Sequence, residues 1–414
     1  MLPPSPLKQT IEKTVREEWG RILACLVKSI GNLQLAEDSL QDALVAALSH
    51  WSTHGLPDAP DAWLLTTARR RAIDRLRRDR RFSQKQVEIS YIADIENAFR
   101  EEPDSSAIPV KRLEMIFTCC HPALERKTQV ALTLRTLGGL STEEIATAFL
   151  DKPQAMAQRL VRAKKKIALA AIPYEIPDSD LLPERIASVL SVLYLIFNEG
   201  YSASSGDSPV RVELCDEAIR LARIVGQLLP DETEIAGLLA LMLLHDSRRL
   251  ARMDSKGSMI ALEHQNRKRW DQGKIRQGVA LLEQTLPRQR VGPYQLQAAI
   301  SAVHAQSADW TQTDWPQIHA LYSLLYQLQP TPVVQINRAL ALSYARSPSE
   351  ALDLIDEAAS DGQLDQYQPY YAARADLLDR NGDKEAAKQA LLKAVELSDN
   401  QAERAFLQAK IADL

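Results

Sequence analysis

At about 150 residues per domain, the 414 residues allow two or three domains. With 45% hydrophobic, 25% charged and 6% aromatic residues, the composition is that of a soluble globular chain, not a disordered or fibrous one. Glycine is scarce, and the abundant Ala, Leu, Gln, Glu and Arg are the stronger helix formers, which disfavours a β-sandwich or Rossmann-type sheet and predicts an all-α fold. No run approaches eighteen consecutive apolar residues and no charged-then-apolar leader opens the chain, so neither a membrane span nor a signal peptide is expected. Four cysteines (Cys25, Cys119, Cys120 and Cys215) without framework spacing fit a reducing compartment, the cytoplasm.

The net charge of −4 conceals an asymmetry. Residues 1–173 carry 26 Lys+Arg against 21 Asp+Glu, a surplus of +5, and the remainder carries −9. The basic residues are also bunched. Arg69 to Lys85 holds nine basic and two acidic residues, and Arg159 to Lys166 holds five basic and none acidic. Such bunching is an electrostatic footprint for a polyanion, and an acidic second half places that partner on the first.

In chain order, residues 8–82 read as helices broken near Gly31-Asn32 and between Thr53 and Pro60. The helix Leu35–Ser49 is predicted to bury Ala36, Leu40, Ala43, Leu44, Ala47 and Leu48 and to expose Asp38 and Asp42 with Gln41 beside them. This acidic patch is either a solvated face or a dock for a basic partner. The next helix places Leu64, Leu65, Ala68, Ala72 and Leu76 on one face and Arg70, Arg71, Arg77, Arg78 and Arg81 on the other. Like charges so crowded repel unless a polyanion lies against them.

Residues 83–108, polar and ending in Glu101–Ser106, read as a linker. Helical periodicity resumes over 109–172. Ser141 or Thr142 N-caps a short helix with acidic first-turn residues, Leu150–Lys152 forms a turn, and Pro153 opens a second helix. On that helix Met156, Leu160, Ala163 and Ile167 share a narrow arc. Gln154, Ala155, Gln158, Arg159, Arg162, Lys165 and Lys166 fill a separate arc of about 140°. This is helix–turn–helix spacing, and Gln and Arg are the side chains that pair bidentately with adenine and guanine edges in the major groove. An ordinary solvated basic helix is the plain alternative.

A Pro-bounded segment, Pro173 to Pro183, leads into a helical region spanning 180–414. There Glu350-Ala351-Leu352 and, thirty-five residues later, Glu385-Ala386-Ala387 each follow a helix and a short turn, with Ala339, Ala351, Ala373, Ala386 and Ala394 as small packing positions. From about 331 this resembles tetratricopeptide repeats.

Ala36–Leu44, followed by Trp63-Leu64 and Ala68–Arg78, resembles region two of bacterial RNA polymerase sigma factors. Glu143–Ala146 with Gln158–Lys164 resembles region four. Two ordered motifs joined by a short linker are similar to the extracytoplasmic-function group. The helical extension, with Thr118–Leu124 and Phe197–Tyr201, is similar to its subgroup with a tetratricopeptide-like C-terminal domain.

The resemblance implies that residues 8–82 bind core polymerase and the −10 element, and that 109–172 bind the −35 element. It places Asp38, Gln41 and Asp42 on the β′ clamp helices, with the β flap as a further contact. Trp63, Arg69, Arg70, Arg71, Arg75, Arg77, Arg78 and Arg81 fall on the −10 element. Gln154, Ala155, Gln158, Arg159, Arg162, Lys165 and Lys166 fall on the −35 element. It also implies regulation by the C-terminal domain, whose acidic charge could mask the basic half in cis. Leu150, Ala155 and Ala157 depart from the family pattern, leaving Arg159 and Arg162 as base readers or phosphate anchors.

No cofactor, metal site or catalytic residue is expected. Cys119-Cys120-His121 lacks chelate spacing, and the seven histidines form no HExxH-like cluster. Asn198-Glu199-Gly200 reads as a helix end with Gly200 as its C-cap. Asn266–Trp270 is a basic, aromatic spot whose role the sequence leaves open. The competing reading is a helix–turn–helix regulator with a ligand-binding or enzymatic helical domain over 180–414.

Overall fold

The computed structural model describes residues 6–80, 95, 108–149, 151–201, 211–254, 260–360, 362–398 and 401–414. Nearly all of the stretch read as a linker, together with Arg81 and Leu150, lies outside them. The chain divides into two compact units, 1–199 and 200–414. Every element described is helical.

The first unit opens with α1 (Pro6–Ile30), α2 (Leu33–His54) and α3 (Pro60–Arg80). Gly31 at φ +68° breaks α1 from α2, a conformation that a side chain would strain, and Asn32 caps α2 by accepting from the Leu35 amide at 3.0 Å. Then come α4 (Ile108–Cys119), α5 (Arg126–Thr136), α6 (Thr142–Ala148), α7 (Pro153–Leu169) and α8 (Leu182–Tyr201). The spine is α1, whose Leu23, Leu26 and Ile30 are fully buried and which packs against α2, α3, α4 and α5. At Gly20 the backbone comes so close to the Leu137 carbonyl that an added Cβ would stand 2.8 Å from its oxygen. Trp19 Nε1 donates to the Arg135 carbonyl at 3.1 Å. The two helical groups read from the sequence therefore share one core.

Two details of this unit differ from the sequence expectation. On α2, Leu44 is only half-buried and Leu48 is 50% exposed, although both share the stripe of the buried Glu37; burial along this Glu37–Leu44–Leu48 line ends before the last turns of the helix. On α8 the helix runs on through Tyr201, so Gly200 is not a C-cap. Its role is close approach, since a Cβ there would lie 2.7 Å from the Cys215 amide nitrogen.

The second unit continues with α9 (Val212–Leu228), α10 (Thr233–Asp246), α11 (Gln272–Thr285), α12 (Pro293–Gln306) and α13 (Trp315–Leu328). After α14 (Pro332–Ala345), α15 (Pro348–Ala358), α16 (Gln368–Arg380) and α17 (Lys384–Leu397), the chain closes on α18 (Gln401–Asp413). The pairs α14–α15 and α16–α17 each pack as neighbours, and their first and second helices start 36 residues apart. Ala339, Ala351, Ala373 and Ala394 are buried at the crossings as expected. Ala386 is only half-buried, and Ala387, at 0% exposure, holds that position.

Candidate nucleic-acid interface

The helix–turn–helix is built by local rules. The Ser141 hydroxyl accepts from the Glu144 amide at 3.0 Å, and the Glu144 carboxylate accepts from the Ser141 amide at 2.7 Å, a reciprocal capping box that fixes the start of α6. Pro153 occupies the first turn of α7, where its missing N–H costs nothing. Met156, Leu160, Ala163 and Ile167 are each at most 4% exposed and seat α7 on the core. This leaves Gln154, Ala155, Gln158, Arg162, Lys165 and Lys166 exposed on its outer side. Arg159 is half-buried and pairs with Asp151 at 2.7 Å, while Lys166 donates to the Ala123 carbonyl. The outer face thus mixes exposed amides and cations with one guanidinium already held by a carboxylate.

On α3, Leu64, Leu65, Ala68 and Ala72 are buried and Arg70, Arg71, Arg77 and Arg78 are exposed, as the periodicity predicts. Trp63 is half-buried, with its ring edge-on to Trp51 at 5.4 Å and tilted against His50 at 5.5 Å. Arg69 lies partly within the unit, and that desolvation holds its pKa below the ordinary arginine value. Arg75 pairs with Asp38 at 3.0 Å. The structure therefore joins a residue expected on DNA to one expected on polymerase, while Gln41 and Asp42 stay exposed on α2.

Sequence reasoning missed Glu37. Its side chain is 3% exposed and receives Arg135 Nε of α5 at 2.5 Å and Lys164 Nζ of α7. Lys164 also donates to Gln34 Oε1 at 3.0 Å. A carboxylate on α2 is thus buried between two cations of the helix–turn–helix group. The signal was available: Leu33, Ala36, Glu37 and Leu40 share the helical spacing of one inward stripe, and a charged residue in such a stripe needs a partner.

Cys119 and Cys120 are buried thiols against Thr136 Oγ1 at 3.0 Å and Thr133 Oγ1 at 3.6 Å. Burial pushes the Cys120 thiol up to about 11, so it stays protonated at neutral pH. Among the described residues, no three His, Cys, Asp or Glu side chains gather as a metal cluster, and no helix is long and apolar enough to cross a membrane.

Residues 15–82 match the sigma-70 region 2 family and residues 114–167 match sigma-70 region 4. An uncharacterized protein of Rhizobium meliloti (strain 1021), R00370, is 40% identical over 394 residues, which is 95% of this chain and 93% of the relative. The chain belongs to the sigma-70 family. It is an extracytoplasmic-function-like sigma factor with a helical C-terminal extension. Residues 185–286 of that sigma factor match a family of unknown function (DUF6596). Yeast Tom70 aligns over 98% of this chain and 85% of its own at 12% identity and a TM-score of 0.38, a likeness too slight to bear on fold or function.

Proposed function

We propose that this sigma factor docks RNA polymerase core through Asp38, Gln41 and Asp42, with the β′ clamp helices as their partner and the β flap as a second contact. Trp63 and the arginines Arg69 to Arg81 then capture and melt the −10 element, and the outer face of α7 reads the −35 element. The observation that carries this reading is the presence, in one unit, of an arginine-faced helix and an outward amide-and-cation helix behind a capped turn. Melting needs a cationic track for phosphates and surfaces for unstacked bases; Arg70, Arg71, Arg77 and Arg78 along α3 supply the first, and Trp63 against His50 near its start supplies the second.

The chemistry of transcription belongs to the polymerase, so the chain acts without catalysis of its own, in the cytoplasm where polymerase and promoters are. The helical unit regulates access to these surfaces in cis. Its charge, opposite in sign to that of the first half, supports this part of the reading.

The test is in vitro transcription from a genomic-fragment library, with core polymerase alone and with core plus the full-length protein. Discrete new start sites are the expected result, and Asp42→Ala should reduce them together with core affinity while leaving thermal stability unchanged. Duplex binding without any initiation would instead favour a conventional helix–turn–helix regulator.

A further inference from the structure

The basic, aromatic spot at Asn266–Trp270 acquires partners in the second unit. Arg248 donates to Tyr201 Oη at 2.7 Å, and the Arg252 guanidinium lies 3.7 Å over the Tyr201 ring while donating to the Tyr201 carbonyl. Arg248 and Arg267 lie 5.8 and 5.1 Å from the centre of one indole, that of Trp270. Arg267 also donates to the carbonyls of His304 and Ser307. Three guanidiniums therefore gather around two adjoining rings.

Among the described residues, none of the three forms an ion pair with a carboxylate. The two acids whose charge is felt at Arg252 and Arg267, Asp246 and Asp309, are engaged elsewhere. Asp246 is held by Arg249 at 2.7 Å and by Lys274 at 2.5 Å, and the exposed Asp309 caps Thr311 and Gln312. The imidazoles beside the cluster stay neutral, since burial and the arginines push His245 down to about 3 and His304 down to about 4. A second observation is independent of charge. Trp270 is 3% exposed, and among the described residues its Nε1, which can only donate, has no acceptor; the buried His304 Nδ1 is likewise unbonded among them. Like charges held together and a buried indole N–H left empty both cost stability, and one anionic acceptor would relieve both.

We propose that Arg248, Arg252, Arg267 and Trp270 form a binding site for a phosphate-bearing small molecule. Guanidinium forks match the several oxygens of a phosphoryl group, and a dianion balances three cations better than a single carboxylate does. The depth of Trp270 favours a small molecule over a duplex backbone, which could not reach beneath the surface. Inorganic phosphate and an organic phosphomonoester share this chemistry. Either would make the helical extension a ligand sensor, and the proposal stands whether or not the chain initiates transcription, because its test reads binding alone.

The experiment is calorimetric titration and thermal unfolding of the full-length protein with inorganic phosphate, pyrophosphate or adenosine 5′-monophosphate. Sodium acetate at matched ionic strength is the control. Saturable binding of at least one phosphate probe, with a rise in Tm absent in acetate, is expected. A response to inorganic phosphate alone identifies the free anion, and a much tighter response to the nucleotide identifies a phosphomonoester. Arg248→Gln should weaken binding about 10- to 100-fold, the effect of losing a charged donor, and should leave the ligand-free Tm level or raised by relief of repulsion. Arg248→Lys keeps the charge and loses the fork, so it should bind with intermediate affinity even where Gln impairs folding. Arg269→Gln, an exposed neighbour, should bind as wild type. No saturable binding of any phosphate probe, an equal response to acetate, or unchanged binding by both Arg248 variants would overturn the proposal.

Discussion

Glu37→Gln tests how α2 and the helix–turn–helix group of the first unit are held together. The substitution keeps the side chain's shape and removes the charge that Arg135 and Lys164 share. With side-chain exposures of 3%, 13% and 10%, water can replace little of what is lost. Removing one partner of a buried ion pair costs about 3–5 kcal/mol, and because Gln still offers one acceptor, about 3 kcal/mol is expected here. Equilibrium denaturation of the full-length protein reads this cost in the transition that includes the first unit. Replacing all three residues with apolar ones of similar volume should return most of it, since no buried charge is then left alone.

The same contact bears on promoter recognition. A compact unit of 199 residues has a radius of gyration of about 16 Å and a breadth of about 45 Å. The −10 and −35 elements lie about 25 base pairs apart, or about 85 Å at 3.4 Å per base pair. On the proposed assignment of α3 to the −10 and α7 to the −35 element, one closed unit cannot reach both at once, and the Glu37 contact is expected to break as the promoter complex forms. Glu37→Gln should therefore lower stability while leaving transcription level or raising it. A stability change under about 0.5 kcal/mol, or a Glu37–Arg135 double-mutant cycle with no coupling, would refute the reasoning about the ion pair. A parallel fall in transcription would refute the opening step.

Three further outcomes are expected. Arg77→Ala with Arg78→Ala, both exposed, should reduce open-complex yield measured by permanganate footprinting without lowering Tm, and an unchanged yield would displace α3 from the −10 element. Arg162→Ala should reduce the slope of log affinity for −35 duplex against log salt by about one, as the loss of one phosphate contact does, and Arg159→Ala by less, because Asp151 already neutralises it in part. Acidification should destabilise the second unit. His245 and His304 are held below their unfolded pKa of about 6.5, so the unfolded chain binds more protons below that pH. The contribution is whole above about pH 6.5 and is lost as pH falls toward the folded values, on the order of 2 kcal/mol per histidine between pH 7 and 5. Half-buried Glu234 and Asp376, raised by desolvation, act in the opposite sense as the pH falls through their own range. His304→Phe should remove about half of the histidine-linked loss in melting experiments.

What the sequence made legible follows from how local each rule is. The buried stripe of α7, an N-cap at Ser141 or Thr142 and the Pro153 start depend on residues within one or two turns; the structure has the stripe and the Pro153 start as read and puts the cap on Ser141. Leu48 was misplaced because helical spacing gives the direction of a side chain but not how far the neighbouring element extends over it. Gly200 was misread because a glycine that ends a helix and one that lets another helix approach look alike until the second helix, here at Cys215, is known. The partners of Glu37 lie 98 and 127 residues away, beyond any periodicity argument.

Clustered charge in a sequence overstates what is available for a polyanion, and the first unit shows by how much. Arg21 is engaged by Glu18 and Asp61, Arg75 by Asp38, Arg135 and Lys164 by Glu37, and Arg159 by Asp151. These basic residues serve the fold. The outer faces of α3 and α7 expose Arg70, Arg71, Arg77, Arg78, Arg162, Lys165 and Lys166, a small part of the 26 basic residues of the first half. In the second unit the relation is reversed. Its net charge is negative, yet Arg248, Arg252 and Arg267 gather partly buried without a carboxylate among the described residues. Cations held outward on long helix faces suit a backbone that runs past them, whereas cations gathered inward around a buried indole suit an anion small enough to be enclosed. On the proposed reading, the sum of charge in the second unit hides its partner, and the burial of its arginines is what distinguishes the two kinds of site.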